Sequence, residues 1–364
     1  MCALRPAASD GEVRVAWGME IIVTKRILGV LLVLVVLQCV LSGPSAAQSC
    51  VGKFGTQLWN WPNPIPSGSF YFAPSPVPFS YLIASWTGSC PPPGWCPTCG
   101  NGGAYAGRPI NLTNGNTYIQ QNDVRIPGLG GGLTLVRTWN SMWPAILSGF
   151  QTGMFGPNWR STYEERVFTG SGEYTGYMVY LRSDGGLWVF ASGTGSTWNL
   201  SAPANVIATL TQNGTQSWKL AFQNGEQRVF SYSSGSLTSI VDRNGNTTQL
   251  SYDGSNRLVT VADPVSRTLT FTYGSSSFPN VVTSLGSSVG VSLSYSYDTQ
   301  GRLNQFTKPD QTTVSFAYNT QSLITVVTDS NAKTLESHTY DSSGRGLTSS
   351  RANGVEAVTI SYPH

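Results

Sequence analysis

Charge is scarce in this chain. Lys, Arg, Asp and Glu make up 11% of its 364 residues, against about 25% in an average soluble protein. No basic stripe runs along it, so nucleic acid is not an expected partner. Histidine is nearly missing: only His338 and His364 occur. A Ser–His–Asp or Cys–His site would have to use one of them. His364 is the last residue, and His338, beside Tyr340-Asp341 at the end of a predicted strand, reads as an exposed strand residue. No nucleophile elbow, P-loop or dinucleotide fingerprint is present. Gly128-Leu-Gly-Gly-Gly132 has no helical pattern after it and reads as a turn. These absences lead to an expectation of no catalytic, cofactor-binding or metal-ligating residues, and no enzyme.

Long apolar runs are also missing. The longest, Ile27 to Leu41, falls short of the ~20 residues a membrane helix needs. Lys25 and Arg26 precede it and Ser45-Ala46-Ala47 follows, which is the layout of a signal peptide with a helical apolar core. Residues 1–47 are therefore read as a cleaved signal, with Met19 as an alternative start and no stable membrane span afterwards. The remaining chain keeps 17 basic and 15 acidic residues, about +2. The protein is expected to be secreted or held at the cell envelope or surface.

Six cysteines become four after cleavage: Cys50, Cys90, Cys96 and Cys99. An even number in an exported chain points to one or two disulfides. Cys96-Pro-Thr-Cys99 also has the CxxC spacing of redox and zinc sites, but a βαβ context and a second ligand pair are both absent. These cysteines lie in residues 48–106, a Pro- and aromatic-rich segment with ten prolines between Trp59 and Thr98. Such a density excludes regular sheet. Residues 107–230 read as strands with Gly/Asn turns, as in Arg182-Ser-Asp-Gly-Gly-Leu-Trp188 and around Asn224-Gly225. Every Trp lies at or before Trp218, and a composition shift places a boundary near residue 230.

From there the chain is periodic. Tyr232, Tyr252, Tyr273, Tyr297, Tyr318, Tyr340 and Tyr362 follow one another at intervals of 20 to 24 residues. Such periods mean stacked supersecondary units. Three units share internal offsets: Tyr252-Asp253 with Arg257, Tyr297-Asp298 with Gly301-Arg302, and Tyr340-Asp341 with Gly344-Arg345. Tyr318 has Asn for Asp and no Arg. Asp suits a tight turn because it bonds its own backbone, and Gly accepts positive φ. Period-two runs such as Leu269/Phe271/Tyr273 and Val314/Phe316/Tyr318 are strands with one apolar face. Because Asp253, Asp263, Asp298, Asp310, Asp329 and Asp341 recur with the repeat, they read as turn formers, not as calcium ligands or paired catalytic acids.

Tyr-Asp, Gly-Arg-Leu and a Pro or Asp-Pro turn at about 21 residues resemble the YD repeat of Rhs proteins, teneurins and the shell subunits of insecticidal toxin complexes. Residues 297–318 are the best match. Upstream, Pro109-Ile110-Asn111, Asn114-Gly115-Asn116, the Asp123 segment, Arg137-Thr138-Trp139-Asn140-Ser141 and Phe155-Gly156-Pro157-Asn158-Trp159 are similar to the uncharacterised domain that precedes YD repeats in Rhs-type proteins.

The resemblance implies an all-β protein: antiparallel hairpin repeats at 231–364 in a curved open sheet or partial β shell, with a strand-rich domain at 107–230 before it. No core motif or toxin domain follows in the sequence, which reads as a short form. The expected role is structural or binding, as part of a cell-surface or toxin-delivery shell. The alternatives are a carbohydrate-binding surface module and a fragment or subunit of a polymorphic toxin. Partners are expected to be proteins or glycans, with strand-edge pairing at the C-terminal end near Tyr362.

Overall fold

The structure, a computed structural model, describes the side chains of Trp95 and of residues 106–362 apart from Arg108, Ala204, Asn205 and Asn353. The expected signal helix, Cys50, Cys90, Cys96 and Cys99 lie outside those residues, as do the side chains of the Pro-rich segment apart from Trp95 and Ala106. Its backbone nevertheless pairs strands Ser69–Tyr71 and Tyr81–Trp86. The expectation that proline excludes regular sheet there does not hold, because Pro74, Pro76 and Pro78 fall between the two strands. The chain divides into two units, and the one holding residues 88–364 contains everything below.

Two sheets dominate it. Strands Tyr118–Ile126, Leu133–Asn140 and Trp159–Ser161 form a small antiparallel sheet with Leu133–Asn140 in the middle. From Arg166 to Thr359 a single sheet of 19 strands follows in sequence order, each antiparallel to the next. This is the all-β hairpin architecture that the alternation predicts. The sheet runs through residue 230 without a break: strand Gln227–Ser231 pairs with Leu237–Val241. The composition shift there is a change of side chains within one sheet.

The sheet is coiled. Its first strand, Arg166–Thr169, pairs with Tyr177–Leu181 on one side. On the other it meets the turn at 235–237, where the Val167 N–H donates to the Gly235 carbonyl at 3.0 Å and Arg166 bridges Ser236. A strand can touch the turn that precedes the eighth strand only if the intervening strands wind round, and right-handed sheet twist supplies that winding.

One face of the coil is apolar. Leu258, Val261, Leu269, Phe271, Leu285, Leu293, Tyr295, Leu303, Phe306, Val314, Phe316, Ile324 and Val327 are buried, while their neighbours Thr270, Thr272, Ser292, Ser294 and Ser296 are exposed. The small sheet and its loops fill that face. Trp159 meets Phe316 edge-on at 5.3 Å, Phe155 lies 4.9 Å from Tyr295, and Tyr163 and Trp139 meet Phe271 and Tyr340. Residues 107–165 are thus a plug inside the repeats. Gly156 shows how close the approach is: its φ is 93°, and a Cβ there would come within 2.7 Å of the Gly301 carbonyl.

The last strand, Val355–Thr359, pairs on one side only, with Gly346–Arg351. The unpaired edge therefore lies at residues 355–359. Tyr362, three residues beyond that strand, donates its hydroxyl to the Gly346 carbonyl at 2.8 Å. Among the described residues no helix is long and apolar enough to cross a membrane.

Candidate functional site: the repeat turns and the plugged inner face

Each Tyr-Asp turn is built from the Asp. The Asp298 N–H donates to the Arg302 carbonyl at 2.9 Å, and the Gly301 N–H to the Asp298 carbonyl at 3.0 Å. Asp298 Oδ1 accepts the N–H groups of Gln300 and Arg302, both at 2.9 Å, and Oδ2 takes the Arg302 guanidinium at 2.6 Å. Asp253 with Arg257 and Asp341 with Arg345 repeat this pattern. The residue before each Arg has positive φ: Asn256 at 59°, Gly301 at 75° and Gly344 at 81°. That geometry calls for Gly or Asn. Asp263 and Arg267 form the same pair in the Asp-Pro turn, with Oδ2 and Nε 2.7 Å apart.

The tyrosines join consecutive units. Tyr252, Tyr273, Tyr297, Tyr318, Tyr340 and Tyr362 donate their hydroxyls to the carbonyls of Leu237, Leu258, Val282, Leu303, Ile324 and Gly346, at 2.6–2.9 Å. The Arg of one turn lies over the Tyr of the next: Arg257 over Tyr273 and Arg302 over Tyr318 at 4.7 Å, and Arg345 over Tyr362 at 4.3 Å. One Arg therefore serves its own turn through charge and the next hairpin through a cation–π contact. The repeat-defining residues read from the sequence are brought together pairwise along the coil edge. They form a row, not a single site. Tyr232 departs from the row: it stacks on Trp218 at 5.9 Å.

The plug adds a different chemistry. The Arg137 and Asp123 side chains have no exposed area. The guanidinium grips the carboxylate with Nε and, at 3.0 Å, with Nη2. Tyr295 of the repeats donates its hydroxyl to the same carboxylate at 2.8 Å. Phe155, Trp159, Tyr295 and Phe306 surround the guanidinium at 4.8–5.3 Å from their ring centroids. Burial alone would lower the Arg137 pKa, but Asp123 outweighs it and raises it. Burial, with the Asp123 charge beside it, holds the Tyr295 phenol well above its usual range. This cluster pins the plug to the repeats by charge-assisted hydrogen bonds.

A second polar set fixes the loops. Asn116 Nδ2 donates to Asn140 Oδ1 and Asn140 Nδ2 to the Asp184 carbonyl, both at 2.9 Å. The Met142 N–H donates to Asn116 Oδ1 at 3.0 Å. The asparagines of the two upstream sequence matches are therefore neighbours that hold the plug loops to one another and to the coil.

His338 corrects an expectation. It is 2% exposed, because it lies on the inner face in step with Tyr340. Its Nε2 is 3.3 Å from Glu336 Oε2, and it pairs across the sheet with Ser349. Its alternation with Ser337 and Thr339 is the signal that points inward. Trp139, Trp159, Trp188 and Trp218 are buried as well. Among the described residues no group of three or more His, Cys, Asp or Glu could hold a metal ion.

Fold, turns and ladder define an all-β repeat protein of the YD class, with its sheet wound on its own upstream segment. Residues 107–190 match a domain of unknown function, DUF6531, and residues 232–268 match the RHS repeat. The two matches stand in the order of a DUF6531 domain followed by an RHS repeat. The DUF6531 match takes in the plug and the first strands of the long sheet.

It is 28% identical over 149 residues to the tRNA nuclease WapA of Bacillus subtilis strain 168, and 27% identical over the same length to the tRNA3(Ser)-specific nuclease WapA of Bacillus spizizenii. Those alignments take in 41% of this chain and 6% of each relative. Among solved structures, a TcdB2-TccC3 crystal structure without its hypervariable C-terminal region gives a TM-score of 0.27 at 13% identity, over 65% of this chain and 15% of that one. A Tc holotoxin pore of Photorhabdus luminescens gives 0.25 at 12% identity, over 65% and 14%.

Proposed function

We propose that this protein is an exported structural component, one end of a cell-surface or toxin-delivery shell, with no catalytic activity of its own. The observation that carries this reading is the plug. From Phe271 to Gly346 the inner face of the coil is covered by the chain's own residues 107–165, so this portion works as a sealed end and not as an open container. The last strand of the sheet, Val355–Thr359, offers an unpaired edge. An exposed edge recruits another strand, and YD hairpins of a partner protein continue the ladder there.

The wider relatives fit this reading in part. They are named as tRNA nucleases, but the aligned stretch is a small fraction of their length. Nuclease activity is therefore not proposed for this segment. Nor is a carbohydrate platform favoured, because the described tryptophans that would build it are mostly core.

The test is fractionation of cells that express the full chain with a C-terminal tag, followed by protease treatment of intact cells and of the purified protein. The reading expects the tag in the envelope or medium, an N-terminus near Gln48, and a protease-resistant core of about residues 107–362. Retention of an unprocessed chain in the cytoplasm overturns the export part. Rapid cleavage within 107–165, with the repeats left intact, overturns the sealed end.

A further inference from the structure

A cleft of about 480 Å³ opens between the plug segment 149–166 and the hairpins around 252–258 and 273–281. Its ionic lining is Arg160, Arg166, Arg257, Glu164 and Glu165. All of these but one are paired. Arg160 and Glu164 face each other at 3.8 Å, Arg228 holds Glu165 at 3.1 Å, and Asp253 holds Arg257 at 2.7 Å. Arg166 is left over. Among the described residues no carboxylate pairs with it, and its Nη2 donates to a neutral group, Ser236 Oγ, at 2.8 Å.

The backbone fixes Arg166 in this place. It opens strand Arg166–Thr169, where that strand meets the turn at 235–237. The Val167 N–H donates to the Gly235 carbonyl at 3.0 Å, and a Cβ at Gly235 would collide with the Val167 carbonyl. The guanidinium lies over the Phe150 ring, 5.5 Å from its centroid. Such a side chain is held ready before any ligand arrives.

A half-buried cation without a counter-ion is unfavourable, because little water remains to screen it. Burial, and then the neighbouring Arg160 charge, lowers the Arg166 pKa, and Glu164 only partly offsets them. The two phenols on the cleft walls are already spent on the ladder, since Tyr252 and Tyr273 donate to the Leu237 and Leu258 carbonyls. The surplus is one positive charge. A divalent oxyanion would exceed it and would meet Glu164 and Glu165 on the same walls. Met154, Leu258 and Val281 also line the cleft, and they offer contact to a carbon skeleton, which an inorganic ion lacks.

We propose that this cleft binds a small organic monocarboxylate. Its carboxylate docks on Arg166 beside the Ser236 hydroxyl, and its carbon body lies against Met154, Leu258 and Val281. The volume suits such a ligand with accompanying water, since small-molecule sites run from about 300 to 1,000 Å³. The polar contact is an ordinary charge-assisted hydrogen bond. Alkanoic acids and N-acylated amino acids present the same group, and the test separates them.

The test is ligand-observed NMR on the full mature chain at low ionic strength, followed by calorimetry on every hit. The probes are acetate, butyrate, hexanoate and benzoate, then N-acetylglycine and N-acetylleucine. Controls are the matched alcohols and alkylammonium ions, inorganic phosphate and sulfate. At least one carboxylate should saturate below about 10 mM, with every control at least about tenfold weaker. Whether alkanoates or N-acetyl amino acids bind more tightly identifies the source. Arg166→Gln should weaken binding at least about tenfold. That variant also disturbs the contact with Ser236, so Asn280→Asp serves beside it. Asn280 is exposed and lines the cleft, and a carboxylate there should weaken binding about threefold by repulsion. No saturable binding below about 10 mM, equal binding of any control, or unchanged binding in folded Arg166→Gln overturns the proposal. Should Arg166→Gln fail to fold, unchanged binding in Asn280→Asp overturns it.

Discussion

In residues 107–165 most of the described charge is buried, with Arg125 exposed, and in residues 232–362 most of it sits at the turns, with Glu336 on a strand. Arg137 and Asp123 have side chains with no exposed area. Arg257, Arg302 and Arg345 keep 16–35% of theirs, and Asp253, Asp298 and Asp341 keep 19–24%. The plug occurs once and uses ion pairs to specify one docking position. The repeats occur many times and use theirs to shape local turns. A buried pair is costly to break, whereas an exposed one contributes little. An Arg–Asp ion pair should therefore have very different consequences in the two regions.

The largest effect is expected at Arg137. Arg137→Met leaves Asp123 buried with only the Tyr295 hydroxyl, and breaking a buried pair costs about 3–5 kcal/mol. Urea unfolding should show a loss of that size. The double variant Arg137→Met/Asp123→Leu should recover most of it, because apolar replacement of a whole buried pair is often close to neutral. Equal losses in single and double variants would mean that packing, and not the stranded charge, holds the plug.

Next comes the ladder. Tyr318→Phe leaves the Leu303 carbonyl without its donor, which should cost about 1–2 kcal/mol. Tyr232 offers the contrast. It is 38% exposed and stacks on Trp218, so Tyr232→Phe should stay within about 0.5 kcal/mol of wild type. Equal losses at both positions in urea unfolding would remove the reason for treating the hydroxyl as the joint between units.

These contrasts also explain what could be read from the sequence. A turn is local: Asp298 and Arg302 are four residues apart, and the strands either side alternate with period two. Tyr, Asp, Gly and Arg were therefore legible by spacing alone. The use of each Tyr hydroxyl was not, because its acceptor lies 15 or 16 residues back. The plug was still less legible. Asp123 and Tyr295 are 172 residues apart, and no local pattern predicts that contact. The motif residues upstream of residue 165 stood out as a resemblance, but their physical roles appeared only with the fold. His338 was misplaced for the same reason. Its face follows from alternation with Tyr340, but its burial depends on the plug that covers that face.

Acid acts on the turns of the repeats. The Arg257 backbone N–H, then its guanidinium, holds the Asp253 carboxyl below its ordinary pKa. Burial acts the other way at Asp263, Asp298 and Asp341, yet the hydrogen bonds from Arg267, Arg302 and Arg345 outweigh it and lower these as well. The unfolded chain then binds more protons than the folded one as pH falls, so stability is lost in that direction. The contribution is complete above the unfolded Asp value of about 3.9 and disappears as pH falls through the lower folded values. Urea midpoints across pH 2–7 should be steady down to about 4 and then drop. A profile flat to pH 2 would refute the turn carboxylates as the titrating groups.

A small effect is also expected where the protein already contains the substitution. Asn319 occupies the Asp position of its turn, and its Oδ1 accepts the N–H groups of Gln321 and Leu323 at 3.0 Å. Position 323 is Leu, so this turn stands without the Arg pair. Asp298→Asn should likewise keep both backbone hydrogen bonds and lose only the ion pair with Arg302, at a cost below about 1 kcal/mol. The variant should also flatten the acid limb slightly, because one depressed carboxylate is gone. A loss above about 2 kcal/mol would show that Arg302, once released from Asp298, no longer holds its place over Tyr318. In that case the charge pair would be a joint between units and not a local turn device, and the contrast with the plug would narrow.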